Sequence, residues 1–449
     1  MVKLVKNSVK ITIFRMAFPM LMGTFAMNAY HLTDTWFVSR LGTEALAAMA
    51  FTFPVVMFLN FVARGLGTGS MTLVSHALGQ KDEKKAAALT THAFFLAAII
   101  VVFISTVGIM TIQPLFRFLG AGPEILPLVE GYMRILYLGM VFMIIPMMAG
   151  DIIISTGDSK SASLLMLGGA VINMILDPIL IFGLFGFPKM GISGAALGTV
   201  VSQFFIFVAA LFILHYRHNL ICFLSNSREL IIISWKKILH ISIPSIFSMM
   251  LVPLSHGVIT RIIAGFGSAA VAATGAAVRI EMFAFMIPMT VGMSLMPFVS
   301  QNYGAGRMDR IKEASKFTIL FAICYGFLIV VVFYMIAPYF GRIFSKDPEV
   351  IKVLVMYIRI VSFGYGMAEV HRYSGFYLMG LHRPIAAAIL NIVRVLVLLI
   401  PLSFLGARFF GIKGAFFGRL FADILAGMIG IICTVNVLKS TDFPKSRHQ

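Results

Sequence analysis

Acidic side chains are scarce in this sequence. There are 18 Asp and Glu in 449 residues, and charged residues of both signs make up only 12%. A soluble domain carries about 25% charged residues, so an ordinary water-exposed surface is excluded over most of the chain. Cysteine is scarcer still. Cys222, Cys324 and Cys433 are widely scattered, which excludes a disulfide framework and a cysteine metal site. The histidines are also scattered, without metal-ligand spacing, and no segment is of low complexity. What the chain has instead is apolar length. Hydrophobic residues make up 59% of it and recur almost from end to end. That is the pattern of a polytopic membrane protein, not of a soluble protein with one anchor.

Twelve apolar runs can be read, near 13–38, 44–78, 86–112, 126–156, 161–186, 191–216, 236–264, 269–300, 314–341, 349–379, 384–407 and 411–438. A helix needs ~20 such residues to cross the hydrocarbon. The opening "MVKLVKNSVK" is basic like a signal peptide, but the run behind it is too long for one and lacks a cleavage site, so it reads as a first membrane helix. The formal net charge of +18 could indicate nucleic acid. Here most basic residues fall in short connectors, where they fix topology and meet anionic membrane lipids, and no nucleic-acid partner is expected. Lys3, Lys6 and Lys10, then Lys81, Lys84 and Lys85, then Arg217, Arg228, Lys236 and Lys237, then Arg307, Arg310, Lys312 and Lys316, and finally Lys439, Lys445 and Arg447 mark one side. The basic-side rule makes that side, and both termini, cytoplasmic.

The two halves repeat. An offset of 225 aligns Pro19 with Pro244, Gly42 with Gly267, Ala47 with Ala272, Gly67 with Gly292 and Gly79 with Gly304. An offset of 223 then pairs Gly157 with Gly380 and Pro178 with Pro401. Six helices separate the copies, so both have the same orientation. The expectation is an all-α integral membrane fold of twelve transmembrane helices in two six-helix lobes, related by a pseudo-two-fold axis along the membrane normal. The amino lobe is 1–216, a cytoplasmic linker 217–235 and the carboxy lobe 236–449.

The repeats agree on Gly and Pro and disagree on acids. Asp34, inside "AYHLTDTWFVSRLG", pairs with Ile259; Asp177 pairs with Ile400 and Asn173 with Leu396. A scaffold role would be shared by both halves, so the asymmetry points to one cation-handling site in the first. A carboxylate at membrane depth costs ~2.5–3.5 kcal/mol and is functional by default. In "NMILDP", Asn173 and Asp177 are four apart and share a helix face. Pro178 withholds a backbone donor, freeing a carbonyl. Two carboxylates, an amide and carbonyls suit Na⁺, and crowded carboxylates equally suit H⁺. The bland reading is a buried acid paired with an intramembrane arginine.

Asp151, Glu281 and Glu369 are secondary candidates. Asp151 falls near a cytoplasmic helix end, where hydration is cheap. Arg279 is two residues from Glu281, a spacing that does not bring side chains together on a helix, whereas Arg372 is three from Glu369 and reads as an ion-pair partner. Arg394 and Asp423 could pair between helices. "GLGTG" at 65–69 lacks the strand and Gly-Lys-Ser of a phosphate loop and reads as close helix packing. His31 and His256 are related by the 225 offset, which favours a shared packing role.

Several motifs together resemble the multidrug and toxic compound extrusion (MATE) family: "TDTWFVSRLGTEALAAMA", "GLGTGSMTLVSHALGQKD" with its echo "PFVSQNYGAG", "TGDSK", "NMILDPILIFG" and "GISGAALGT". The resemblance covers nearly the whole chain. It implies alternating-access antiport in a prokaryotic cytoplasmic membrane, with cationic or amphipathic small molecules exported against inward H⁺ or Na⁺ and no cofactor. By motif it assigns cation coupling to Asp34, Asn173 and Asp177, adds Thr199 and Tyr132, and places Asp151 where the family commonly has Asn. The carboxy-lobe acid of one branch has no match around Met250 and Pro253, so the chain is closer to the amino-lobe-coupled branch. A lipid-linked oligosaccharide flippase of the same superfamily is the alternative, since Arg15, Arg64, Arg261 and Arg394 lie in the runs. An intramembrane enzyme is disfavoured, because no nucleophile–base pair is evident.

Overall fold

The computed structural model describes residues 4–222 and 228–440, so Lys3, Lys445, Arg447 and residues 223–227 of the expected linker lie outside the described residues. The described chain is helical, without strands. Its helices are α1 (Val9–Ser39), α2 (Thr43–Gly79), α3 (Glu83–Phe118), α4 (Leu126–Leu138), α5 (Met140–Ser155), α6 (Ser159–Phe182), α7 (Ile192–Phe212), α8 (Arg228–Ala264), α9 (Ser268–Gly304), α10 (Met308–Phe344), α11 (Pro348–Val361), α12 (Tyr365–Gly380), α13 (Pro384–Ile392) and α14 (Ile400–Ser440). A π-helical segment, Val393–Leu399, joins α13 to α14.

These helices make the twelve expected membrane passes. Ten helical stretches are long and apolar enough, and α4 with α5 forms an eleventh, bent by 53°. The last stretch, Pro384–Ser440, has 57 residues, far more than the ~20 a crossing needs. Phe410 and Gly411 leave helical geometry within it, dividing it into two passes. Close backbone approach holds the two arms together, with Gly406 against Gly414 and Gly418 against the Leu402 carbonyl.

The bend between α4 and α5 was not expected. Its cause is local. Gly139 sits against Val200 of α7, where a Cβ would clash. The Ser105 hydroxyl of α3 donates to the Tyr137 carbonyl at 2.7 Å, satisfying a carbonyl at the bend.

The chain divides into two compact units. One runs Arg15–Ile243; the other takes Leu4–Phe14 with Pro244–Gln449. The internal repeat is written into the backbone of each. Gly42 (φ 113°, ψ 178°) opens α2 and Gly267 (φ 100°, ψ 169°) opens α9 in the same conformation, one that side-chain-bearing residues rarely adopt. Further on, the turn at Gly157 (φ 85°) matches the turn at His382 (φ 59°), again 225 apart. The Gly157–Gly380 pairing at 223 is therefore corrected: Gly380 is the last residue of α12, before that turn.

Candidate functional site

In the Arg15–Ile243 unit, four helices bring polar side chains together at membrane depth. Helix α1 contributes Tyr30 and Asp34, α4 Tyr132, α6 Asn173 and Asp177, and α7 Thr199. Asp34 is 7% exposed, Asn173 1% and Asp177 0%. Thr199 is the hub: the Asn173 amide Nδ2 donates to its Oγ1 at 3.4 Å, and the Tyr30 hydroxyl meets the same oxygen at 3.3 Å. Gly198 makes this approach feasible. A Cβ there would stand 2.6 Å from Asp177 Oδ1, so glycine lets α7 close on α6 with the carboxylate between them. One turn before Asp177, the Met174 carbonyl receives no N–H from Pro178.

The two carboxylates lie within electrostatic reach of each other and of Tyr30 and Tyr132. Asp34 Oδ1, Asn173 Oδ1 and both oxygens of Asp177 are buried without a hydrogen-bond partner. Buried polar atoms are nearly always satisfied, so four such acceptors in one cluster suit a proton, a small cation or an ordered water. Neither Asp34 nor Asp177 makes an ion pair among the described residues. The arrangement can exchange H⁺ or a hard, oxygen-preferring monovalent ion. It has no nucleophile–base pair, and no group of three His, Cys, Asp or Glu is placed to hold a metal among the described residues.

The structure thus brings together all five primary sequence candidates, Asp34, Asn173, Asp177, Thr199 and Tyr132. It adds Tyr30, which the sequence reading missed. The available signal was its spacing, four residues before Asp34 and so on the same helix face.

The secondary candidates fall elsewhere. Asp151 on α5 packs against Gly67 of α2, where the missing side chain leaves room for its carboxylate, and Arg64 is within electrostatic reach. Glu281 on α9 belongs to the other unit. Its Oε1 accepts from the hydroxyls of Tyr357 (2.8 Å) and Tyr365 (2.9 Å), and its Oε2 lies 2.9 Å from Arg419 Nη2. Arg419 also donates to the Tyr357 hydroxyl. Glu369 stands 3.2 Å from Arg372, as the spacing suggested. Arg394 meets Asp423 at 2.8 Å, so that pairing is real. At the start of α6, outside the membrane-spanning stretch, Asp158 caps the helix by accepting from the Ser161 N–H at 3.2 Å. Burial alone would raise its carboxyl, but hydrogen bonds from His218 and Ser161 and the Arg217 charge hold it well below the usual carboxylate range.

Comparison with known proteins adds four findings. The MatE family model matches residues 19–179 and again 244–405. The FAD transporter of Shewanella oneidensis is 33% identical over 416 residues, covering 93% of this chain and 92% of that protein. The probable multidrug resistance protein YoeA of Bacillus subtilis is 27% identical over 355 residues, 77% of this chain and 76% of its own. Among solved structures, the Vibrio cholerae MATE transporter VcmN in the bent form superposes with a TM-score of 0.91 at 27% identity, over 96% of this chain and 97% of that one.

Proposed function

Because the chain belongs to the MatE family, a family of multi-pass membrane transporters and not of enzymes, we propose that it is an ion-coupled antiporter driven through the Asp34–Asp177 cluster. The observation that carries this reading is the set of four buried oxygens without partners on Asp34, Asn173 and Asp177. An empty, charged cluster at that depth is unstable. Binding H⁺ or Na⁺ relieves it and favours the packing in which α1, α6 and α7 close around the ion, while loss of the ion favours the alternative state. Thr199 and Tyr30 set the hydrogen-bonding frame, and Tyr132 lies within electrostatic reach of both acids. The driven molecule is a small organic solute, cationic or amphipathic by family resemblance.

A second reading of the substrate is a flavin nucleotide. It is supported by the 33% identity to the FAD transporter over nearly the full length. The oligosaccharide flippase reading remains the alternative; of its four arginines, one, Arg394, is taken by an acid, Asp423. We place the protein in a prokaryotic cytoplasmic membrane, with residues 1–216 and 236–449 as lobes and 217–235 as cytoplasmic linker. In that topology Glu83→Cys resists an external thiol reagent on intact cells and Ser345→Cys is labelled; the reverse pattern refutes it.

The deciding experiment is efflux from proteoliposomes with a proton gradient and a Na⁺ gradient imposed separately. Acceleration by one gradient, lost in Asp177→Asn, supports the proposal. Efflux indifferent to both gradients refutes it.

A further inference from the structure

Arg64 sits near the middle of a membrane helix. Helix α2 runs Thr43–Gly79, and Arg64 lies only ~4.5 Å along the axis from its midpoint. A hydrocarbon layer of ~30 Å centred on that helix puts either headgroup layer about 10 Å or more away, too far for a snorkelling side chain. The other arginines without an acid are closer to helix ends. Arg15 lies near the start of α1, Arg261 near the end of α8, and Arg279 in the first third of α9.

Nothing in the protein neutralises Arg64. It makes no ion pair and donates no hydrogen bond among the described residues. Asp151 is within electrostatic reach, but its carboxylate fills the space beside Gly67 and does not pair with the guanidinium. All five N–H donors of Arg64 are therefore uncommitted. The side chain is also accessible. Arg64 is exposed, whereas residues 62–63 and 65–67 around it are buried. The same face of α2 continues through Phe61, Met57 and Phe53, at spacings of three and four, and all three are accessible. His31 of α1 is exposed too and lies within electrostatic reach of Arg64. The 225 offset puts Met289 in the place of Arg64. A framework role would be shared by the two repeats, and this charge, like Asp34, is present in one.

An unpaired charge at membrane depth is functional by default. Guanidinium donors are matched by the oxygens of phosphate or carboxylate, not by a cation. Beside them, α2 offers aromatic and methionine surface. We propose that Arg64 binds the anionic group, phosphate or carboxylate, of an exported aromatic solute whose apolar part lies along Phe61, Met57 and Phe53. The proposal rests on the exporter reading and names the solute's chemistry within it.

The test uses purified full-length protein in nanodiscs, with flavin fluorescence anisotropy as the readout. Riboflavin, FMN and carboxymethylriboflavin are the probes: one neutral, one with a phosphate and one with a carboxylate. The expected result is that at least one anionic flavin binds about tenfold more tightly than riboflavin, the worth of roughly one charge-assisted hydrogen bond. A preference for FMN assigns the site to phosphate, and a preference for the carboxymethyl compound assigns it to carboxylate. In Arg64→Gln the preference falls to about one. Arg64→Lys keeps the charge but not the planar fork, and retains a several-fold preference. Equal binding of all three flavins by the native protein, no flavin binding at all, or a preference unchanged in Arg64→Gln would overturn the assignment. Gradient-driven riboflavin efflux by the native protein is measured in parallel. It reports on antiport without an anionic group, so loss of the Arg64 site and loss of the exporter reading give different patterns.

Discussion

The two compact units bury acids in opposite ways. In the unit built from Leu4–Phe14 and Pro244–Gln449, each buried acid has an arginine: Glu281 has Arg419 at 2.9 Å, Glu369 has Arg372 at 3.2 Å and Asp423 has Arg394 at 2.8 Å. In the Arg15–Ile243 unit, Asp158 has Arg217 at 3.1 Å. Asp34 and Asp177 have no basic partner among the described residues and are neighbours. One repeated framework of glycines and prolines thus carries two chemistries. A buried acid matched by arginine is neutral as a pair and needs no charge from outside, even where, as at both oxygens of Glu369 and Oδ2 of Asp423, it lacks a hydrogen bond. Two unmatched acids side by side can reach neutrality only by taking up positive charge, and that need is what an ion-coupled transporter can use.

The sharpest way to break the comparison is to neutralise the unmatched acids. Asp34→Asn and Asp177→Asn should each reduce gradient-driven efflux in proteoliposomes to background. Neither should lower the stability of the empty protein, because each removes a buried charge that lacks a partner. An Asp34→Asn protein that still pumps against a gradient with unchanged ion dependence would make Asp34 a structural acid.

The matched acids should behave in the converse manner. Arg394→Met leaves Asp423, which is 1% exposed, with only Arg419 Nε at 3.9 Å. Breaking a buried pair from one side costs about 3–5 kcal/mol, measurable by chemical denaturation in detergent. Arg394→Met/Asp423→Met should recover most of that loss. If the double variant is as unstable as the single one, the pair is not the reason Asp423 is tolerated.

What was legible in the sequence follows the same division. The Asn173–Asp177 face could be read because both residues lie on one helix, four apart, where geometry is fixed by the 3.6-residue turn. The Glu369–Arg372 pair could be read for the same reason. Arg419 could not be assigned to Glu281, because they are 138 positions apart and meet only through the packing of α9 and α14. The nearer Arg279 was correctly set aside by helix geometry, but nothing local replaced it. The bend at Gly139 was equally hidden, since it depends on Val200 of α7. Tyr30 was overlooked although its spacing from Asp34 was visible, because a tyrosine in an apolar run reads as core.

A milder change sharpens the picture inside the first unit. Tyr30→Phe keeps the ring against His31, at 4.7 Å between centroids, and removes only the hydroxyl that reaches Thr199. One neutral hydrogen bond is worth ~1 kcal/mol, so the driving-ion concentration for half-maximal efflux should rise roughly five- to tenfold, with the maximal rate kept. An unchanged ion requirement would remove Tyr30 from the site and leave the Asn173–Thr199 link as its only frame.

The smallest expected effect concerns Asp158, the matched acid of the first unit. Its carboxylate meets Arg217 at 3.1 Å and His218 at 3.3 Å while capping α6. Asn caps a helix about as well as Asp, so Asp158→Asn removes the charge and spares the cap. Arg217 is 53% exposed on its side chain, so water partly replaces the lost partner and the cost should be only about 0.5 kcal/mol. Its pH dependence distinguishes this acid from Asp34 and Asp177. The folded-state carboxyl is held below its ordinary value, so the charged form is the one the fold stabilises. That stability is present in full above the unfolded-state value of ~3.9 and is lost as the pH falls below it toward the folded-state value. The margin by which the native protein exceeds Asp158→Asn should therefore shrink as the pH falls below about 4. A margin that instead grows as the pH falls through that range would mean that Asp158 is held in its protonated form, and it would then no longer count as an acid matched by arginine.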